Sequence, residues 1–128
     1  MANIIEGVKY TKEHEWVKID GDNAVEGLTD YAQSELSDIV MVELPQVGRK
    51  VKSGEAVGTI EAVKAVSDLY AGVSGEVVEV NDKVVTEPAL INKDPYGQGW
   101  LYKVKVADPK EADNLLSAGQ YRELIEKH

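Results

Sequence analysis

The amino-acid sequence predicts a mainly β protein, in which two short sheets fold over each other and helices lie at the edge. Three observations carry this prediction. Between residues 47 and 85, short apolar segments are separated by glycine-containing turns, at a spacing that favours a small sandwich or barrel. Residues 100–106 alternate between two faces, which is the period of a strand. Beyond residue 107, cap residues and a wider apolar spacing indicate helices.

The first elements are a strand, a turn and a short helix. Residues 14–19 have the alternation of a half-buried strand, and residues 20–23, Asp-Gly-Asp-Asn, have the composition of a turn. We then expect a helix that Asp30 caps, because Gln33 follows three residues later, as in a capping box.

The middle of the chain is predicted to consist of short strands. Residues 39–44 are rich in β-branched side chains and end at Pro45, which cannot continue a central strand. Turns are expected at Ser53-Gly54 and at Ser74-Gly75. The strands around these turns are expected at residues 51, 57–63, 69–71 and 77–80.

A loop, a strand and two helices complete the prediction. Residues 92–99 contain Asp94-Pro95 and two glycines, which is typical of a loop. The strand at 100–106 follows, with its even-numbered residues on one face. Asp108, with Pro109 at the first helical position, begins one helix, and Ser117 with Gln120 begins the next. The inward side chains of the last helix are expected to be Tyr121, Leu124 and Ile125.

Length and composition fit one globular domain. The chain has 128 residues, of which 43% are hydrophobic and 29% charged, and no apolar run is long enough to cross a membrane. Residues 1–10 lack the basic and apolar segments of a secretory signal and the arginine-rich character of an organelle transit peptide. We therefore expect a bacterial, cytoplasmic monomer, unless a leader has already been removed.

The charge and the missing cysteines exclude several functions. A formal charge of −9 repels phosphate backbones, so nucleic acid is not an expected partner, whereas proteins with basic docking surfaces are. Without cysteine there is no disulfide, thiolate metal site or cysteine nucleophile. Any sulfur redox chemistry must therefore come from a cofactor.

Lys64 lies at the midpoint of a near-repeat. The string Ser-Gly-Glu-Ala-Val at residues 53–57 recurs as Ser-Gly-Glu-Val-Val at residues 74–78. Gly54 lies 10 residues before the lysine and Gly75 lies 11 after it. This arrangement predicts a hairpin that joins two related halves and carries Lys64 at its tip.

The neighbours of Lys64 are unusual for a hairpin tip. Exposed turns mostly carry Gly, Asn, Asp, Ser or Pro, whereas small and β-branched apolar residues flank this lysine. Such residues are explained if a modifying enzyme reads the tip. A solvated lysine is a cation and a poor nucleophile, so an attachment point is favoured over Schiff-base catalysis. The alternative is an ordinary surface lysine.

The remaining polar residues offer little material for catalysis or metal binding. The two histidines are His14, expected to pack beside Trp16, and His128 at the terminus, so neither a histidine metal site nor a serine-histidine-aspartate triad is predicted. No glycine string fits a phosphate loop or a dinucleotide fingerprint. We expect no catalytic residue and no metal ligand. Carboxylates expected to be merely solvated are Glu35, Asp38, Glu43, Glu76 and Glu79.

Several blocks of this sequence resemble, in order, those of one family. They lie at residues 10–17 with His14-Glu15-Trp16, 27–32, 42–45, 61–65 with Glu-Ala-Val-Lys-Ala, 73–77, 92–96 and 99–100. On these blocks, which span nearly the whole chain, the sequence resembles the H-protein family of the glycine cleavage system. The resemblance implies the barrel-sandwich hybrid fold of lipoyl and biotinyl carriers, as a single domain over residues 1–128.

The resemblance also implies a function. Lys64 would carry lipoate as N6-lipoyllysine, attached by a lipoate ligase or a lipoyl or octanoyl transferase. The partners would be P-protein, a pyridoxal-phosphate glycine decarboxylase, T-protein, a tetrahydrofolate-dependent aminomethyltransferase, and L-protein, the dihydrolipoamide dehydrogenase. The carrier would shuttle the aminomethyl group of glycine and would catalyse none of these steps itself.

Two positions depart from the family pattern, and two others match acidic positions near its arm. The family usually has serine where this chain has Ala62 and proline where it has Gly72. By the resemblance, Glu15 and Asp68 would shelter the cationic aminomethyl arm. The alternative is that both are solvated carboxylates at strand edges.

Three other functions stay open at this stage. The chain could be a lipoyl or biotinyl domain of another multienzyme complex, a protein that relays lipoate to other acceptors, or a plain interaction module with an unmodified Lys64. Against biotin, no methionine flanks the lysine, since the methionines are Met1 and Met41.

Overall fold

A computed structural model describes residues 3–127, which form two antiparallel sheets and several short helices. The strands are β1 (Lys9–Tyr10), β2 (Glu15–Asp20), β3 (Asn23–Leu28), β4 (Ile39–Glu43), β5 (Lys50–Val51), β6 (Ala56–Ala62), β7 (Val66–Tyr70), β8 (Gly75–Val80) and β9 (Tyr102–Val106). The helices are α1 (Asp30–Leu36), α2 (Asp82–Thr86), α3 (Ala89–Lys93), a 3-10 helix (Pro109–Asn114) and α4 (Ala118–Glu126).

The two sheets share one hydrophobic core. The larger has the strand order β1-β2-β3-β9-β8-β5 and the smaller β4-β6-β7. Both contribute fully buried aliphatic side chains, each of which stabilises the fold by about 1.5–3 kcal/mol. Examples are Val17, Ile60, Leu69, Val77 and Val104. The predicted architecture of two short sheets with helices at the edge is confirmed, although the described strands leave both sheets open instead of closing a barrel.

The predicted strands of the middle region are confirmed as β4 to β8, but one of the two predicted turns is not. Gly54 has a φ of 86° and does lie in a turn. Gly75 lies inside β8, opposite Val51, and a Cβ there would run into the carbonyl oxygen of Lys105. The second glycine of the near-repeat is therefore required by close strand packing. The repeats nevertheless meet, since the Ser53 N–H donates to Ser74 Oγ at 2.9 Å.

Helix α1 is present, but its cap is Thr29 and not the predicted Asp30. Thr29 Oγ1 accepts the Ala32 N–H at 3.1 Å, and Asp30 is the first helical residue. Asp30 instead accepts a hydrogen bond from Gln33 Nε2 at 2.7 Å. The pattern of an acidic residue followed by glutamine three positions later thus belongs to the first turn of the helix.

The sequence analysis missed β1, β3, α2 and α3. Residues 92 and 93, predicted as loop, are the end of α3, whereas the rest of that loop is confirmed. The strand predicted at 100–106 begins two residues later, as β9, and Leu101 just before it is fully buried. In the part of the chain that the structure describes, no helix is long and apolar enough to span a membrane.

The C-terminal cap signals are confirmed. Asp108 accepts a backbone hydrogen bond in the first turn after it, although the helix there is 3-10 and not α. Ser117 and Gln120 form the full capping box of α4. Tyr121 on that helix is fully buried and stacks on Tyr10, with 4.6 Å between the ring centroids. The last helix is thereby fixed against the edge strand of the larger sheet.

Candidate functional site

The hairpin of β6 and β7 ends in a short tip at residues 63–65. The Ala62 N–H donates to the Ala65 carbonyl oxygen at 2.8 Å and closes the tip. The Val63 N–H points out of the hairpin and donates to the carbonyl oxygen of Asp38, just before β4, at 3.0 Å. Backbone hydrogen bonds on both sides therefore define the shape of the tip.

Lys64 lies at the end of this hairpin, as the near-repeat predicts, and its side chain is exposed. Val63 and Val66 beside it are 75% and 63% exposed. Neither of the two ion pairs found among residues 3–127 involves Lys64. The amine is thus accessible to any protein that grips the tip.

A groove of 260 Å³ lies beside the hairpin, lined by α1, β7 and the segment before β2. Three of its lining residues are carboxylates, Glu13, Glu35 and Asp68, and no lysine or arginine lines it. The groove lies close to the hairpin tip, because two of its lining residues, Ser67 and Asp68, follow Lys64 by only a few residues. Such a groove favours a cationic occupant.

His14 ties this groove to the C-terminal helix. Its Nδ1 lies 2.9 Å from the Tyr121 hydroxyl, which lies 2.7 Å from Thr29 Oγ1. The histidine ring also packs against Tyr31, with 4.8 Å between centroids. Its φ of 67° is in the left-handed region that few non-glycine residues adopt. Through these contacts, His14 connects the groove lining on α1 to α4.

Of the two carboxylates predicted to shelter an arm, only Asp68 lines the groove. Glu15 is 1% exposed, so it is neither on the groove surface nor a solvated strand carboxylate. Its Oε2 accepts the Tyr70 N–H at 2.7 Å, while Oε1 has no hydrogen-bond partner among the described protein atoms. Burial raises the pKa of Glu15 well above its ordinary range, which outweighs the opposing effect of the Tyr70 N–H.

Glu26 is a second buried carboxylate, and sequence reasoning missed it. It is 1% exposed in β3, and its Oε1 accepts the Gly72 N–H at 2.8 Å and the Tyr102 hydroxyl at 3.2 Å. Burial raises the pKa of Glu26 to about 8. The sequence signal was a single glutamate in an otherwise small and apolar segment, but its partners lie far away in the chain.

The five carboxylates predicted to be solvated are all exposed. Glu79 forms an ion pair with Lys103 at 3.2 Å, and Glu35, which lines the groove, accepts a hydrogen bond from the Tyr31 hydroxyl at 3.2 Å. The residues predicted to be solvated are therefore confirmed as surface carboxylates.

Comparison with known proteins decides the family. A profile of the family described as glycine cleavage H-protein matches residues 8–128. The chain belongs to the glycine cleavage H-protein family. The resemblance drawn from the sequence blocks is thereby confirmed.

Similar H-proteins match over nearly their whole length. The glycine cleavage system H protein of Carboxydothermus hydrogenoformans is 50% identical over 127 residues, which are 99% of this chain and 98% of that protein. That of Thermotoga maritima is 55% identical over 115 residues, 90% of this chain and 93% of that protein. The crystal structure of a glycine cleavage system H protein from Mycobacterium marinum superposes with a TM-score of 0.89 at 42% identity, covering 96% of this chain and 99% of the other.

The structure explains one departure from the H-protein pattern. Gly72 donates its N–H to Glu26, a hydrogen bond that proline at this position would be unable to make. A Cβ at Gly72 would also lie 2.7 Å from Val17 Cγ2 and 3.0 Å from Glu26 Oε1. The glycine and the buried glutamate therefore fit each other.

The other departure, Ala62, faces inward. Its side chain is 8% exposed and belongs to the hydrophobic core. A serine hydroxyl at this position of an H-protein would point to the core and away from an enzyme that grips the tip. The alanine therefore leaves the exposed surface around Lys64 unchanged.

Proposed function

We propose that the chain carries lipoate on Lys64. Membership of the H-protein family makes it a lipoyl carrier of the glycine cleavage system. The choice of Lys64 rests on one observation above all: this lysine ends the hairpin of β6 and β7 with its side chain in solvent.

The surroundings of Lys64 fit such an attachment. An amide bond between the lipoate carboxyl group and Nζ needs an accessible amine and removes its positive charge. No ion pair would be lost, because neither ion pair within residues 3–127 includes Lys64. The fixed backbone of the tip presents the amine in a constant position to the attaching enzyme, a lipoate ligase or a lipoyl or octanoyl transferase.

When attached, lipoate would supply a disulfide that accepts the aminomethyl group of glycine and is reduced as it does so. The proposed partners are the glycine decarboxylase P-protein, the aminomethyltransferase T-protein and the dihydrolipoamide dehydrogenase L-protein. The carrier itself would hold and deliver the group, and the partners would catalyse every step. Tethering raises the local concentration of the group at each partner.

The acidic groove suits the cationic cargo of such a carrier. Glu13, Glu35 and Asp68 would attract an aminium group, and the groove walls would exclude part of the bulk water. Glu15 would act indirectly, because its carboxyl group holds the Tyr70 N–H at the end of β7. We propose a positioning role for Glu15 and a direct one for Asp68.

The chain is proposed to work as one carrier domain over residues 1–128, in the cytoplasm. In support of one domain, β1 near the start and β9 near the end belong to the same sheet. In support of the cytoplasm, similar proteins come from bacteria and from the archaeon Aeropyrum pernix, which have no organelles.

Mass spectrometry tests the attachment site. The chain is co-expressed with a lipoate ligase in medium with lipoate, and its intact mass and peptide map are measured. We expect one lipoyl increment on the peptide that contains Lys64, no increment for Lys64→Arg, and a normal increment for the control Lys110→Arg. A biotinyl increment, no increment, or an increment on another lysine would overturn the proposal.

Glycine-dependent CO2 exchange with P-protein tests the carrier role. Lipoylated wild type should support exchange, whereas Lys64→Arg should not, since it keeps the charge and loses the acceptor. Exchange that is unaffected by Lys64→Arg would contradict the role of this lysine.

A further inference from the structure

We propose that Asn92 positions the hairpin tip, and with it Lys64. It does so through one peptide group, to which both the Asn92 side chain and the tip are hydrogen-bonded. The proposal rests on the proposed function only in taking Lys64 as the modified residue. The contacts on which it is based are hydrogen bonds among α1, α3, β4 and the tip, and these do not depend on the proposed function.

The side chain of Asn92 joins three segments. Its Oδ1 accepts the Ile39 N–H at 3.1 Å, at the start of β4. Its Nδ2 donates to Gln33 Oε1 at 2.9 Å, on α1, and to the Ser37 carbonyl oxygen at 2.6 Å, at the end of α1. One amide therefore fixes both ends of the connection between α1 and β4.

The decisive contact is on the peptide group between Asp38 and Ile39. Its N–H is held by Asn92, and its carbonyl oxygen accepts the Val63 N–H of the tip at 3.0 Å. A peptide group is planar, so orienting its N–H also orients its carbonyl oxygen. Hydrogen bonds on the two ends of one peptide also polarise each other. Asn92 thus acts on the tip through a single rigid unit.

The connection that Asn92 holds has irregular backbone. Ser37 has a φ of 65°, a backbone conformation that residues other than glycine adopt with strain. The pairing of β4 with β6 is irregular between Ile39 and Met41. Asn92 itself belongs to α3, which is anchored in the core by the fully buried side chain of its neighbour Ile91. Without the Asn92 amide, the Asp38 carbonyl would lose its fixed direction.

The same amide relates the tip to the acidic groove. Gln33 lies on α1, which supplies one wall of the groove, while Asp38 supports the tip. Asn92 therefore sets the position of Lys64 relative to the groove as well as to the hairpin. Its expected role is positioning, since it does not contact the lysine.

The test compares Asn92→Ala with Asn81→Ala. Asn81 is a matched control because its side chain also makes three hydrogen bonds, to Gln98, Trp100 and Lys83, and none of them leads to the tip. Amide hydrogen exchange is measured on the unmodified protein. The Val63 N–H should exchange at least about tenfold faster in Asn92→Ala than in Asn81→Ala, after correction for global stability.

A second readout is the rate of lipoylation by lipoate ligase with lipoate and ATP. A tip that is only partly in the competent geometry lowers apparent affinity by that fraction, so KM for the protein should rise about fivefold while kcat changes little. Gln33→Ala removes one of the hydrogen bonds of the Asn92 side chain and leaves its bond to the Ile39 N–H, so this variant should lie between wild type and Asn92→Ala in both readouts.

The outcomes separate the two proposals. Equal exchange at Val63 in Asn92→Ala and Asn81→Ala, or exchange in Gln33→Ala as fast as in Asn92→Ala, would overturn the role of Asn92. If Asn92→Ala does not fold, Gln33→Ala is compared with Asn81→Ala, and equal exchange at Val63 in these two variants would overturn the role of Asn92. Failure of wild type to be lipoylated at Lys64 would overturn the carrier site, while the exchange data would still test Asn92.

Discussion

At the scale of the single residue, the burial of Glu26 has the clearest consequence, which is a raised pKa. Its carboxyl group is 1% exposed, and burial disfavours the charged form. In the folded protein its pKa rises from 4.5 to about 8. In the unfolded chain it returns to its ordinary value. Between these two values the folded state therefore holds a proton that the unfolded state has released.

This linkage predicts that Glu26 lowers stability as the pH rises. Its contribution is fully favourable below pH 4.5 and is lost as the pH increases towards about 8, at up to about 1.4 kcal/mol for each pH unit. Glu26→Gln should remove this slope, because the amide stays neutral and its oxygen can still accept the Gly72 N–H. Urea unfolding at pH 5.5 and pH 8 measures the effect.

The control for this prediction is Glu55→Gln, which changes a fully exposed carboxylate beside Arg49. The difference in free energy of unfolding between wild type and Glu26→Gln should shift in favour of the variant at pH 8. Parallel pH profiles for wild type and Glu26→Gln would show that Glu26 is already charged in the folded protein.

The burial of the two carboxylates could not be predicted from the sequence, for a physical reason. Glu15 and Glu26 are stabilised by the N–H groups of Tyr70 and Gly72, which lie 55 and 46 residues away in the chain. No local pattern reports such a partner. Lys64, by contrast, was found because its signal is local: the two copies of the near-repeat and the apolar neighbours all lie close to it in the sequence.

At the scale of the element, α1 depends on a threonine with two roles. Thr29 Oγ1 accepts the Ala32 N–H and lies 2.7 Å from the Tyr121 hydroxyl, in a fully buried position. The cap of α1 is thus also a link to α4. Sequence reasoning placed the helix well but assigned the cap to Asp30, since a threonine and an aspartate in succession are both good caps.

Substitutions at Thr29 and Asp30 should show which of the two residues caps α1. Thr29→Ala should lower the free energy of unfolding by about 1–3 kcal/mol, because it removes the cap and leaves a buried tyrosine hydroxyl with one partner fewer. Asp30→Ala should cost less than about 1 kcal/mol. Chemical denaturation at pH 7 measures both. A larger loss for Asp30→Ala than for Thr29→Ala would contradict the assignment.

Short strands and the helices between them differed in how well they were predicted. β4, β6, β8 and β9 have strong β-branched or alternating patterns and glycine or proline boundaries. β3 was missed since its small residues, such as Ala24 and Gly27, pack closely without a clear alternation. α2 and α3 have five residues each, too few for a helical period to stand out.

For the whole molecule, the proposed modification site and the core are separate. Lys64 is exposed, whereas the core lies between the two sheets. Acylation would make the formal charge more negative by one, without removing a packing contact or an ion pair. The two-sheet fold should therefore tolerate either form equally.

Calorimetry of unmodified and lipoylated protein tests this independence. We expect melting temperatures within about 2 °C of each other, a difference that corresponds to a few tenths of a kcal/mol for a protein of this size. Val57→Ala, which truncates a core side chain of β6, serves as the positive control and should lower the melting temperature clearly. A large increase upon lipoylation would indicate that the arm packs against the fold.

The closed tip of the hairpin also governs how far a prosthetic arm can search. Because backbone hydrogen bonds from Ala62 and Val63 hold the tip at both sides, the anchor point hardly moves relative to the sheets. All the swing must then come from rotation about single bonds of the lysine and of the chain attached to it. Such an arm sweeps a compact volume centred on a fixed pivot, so that different partners of the carrier would meet its end at the same place.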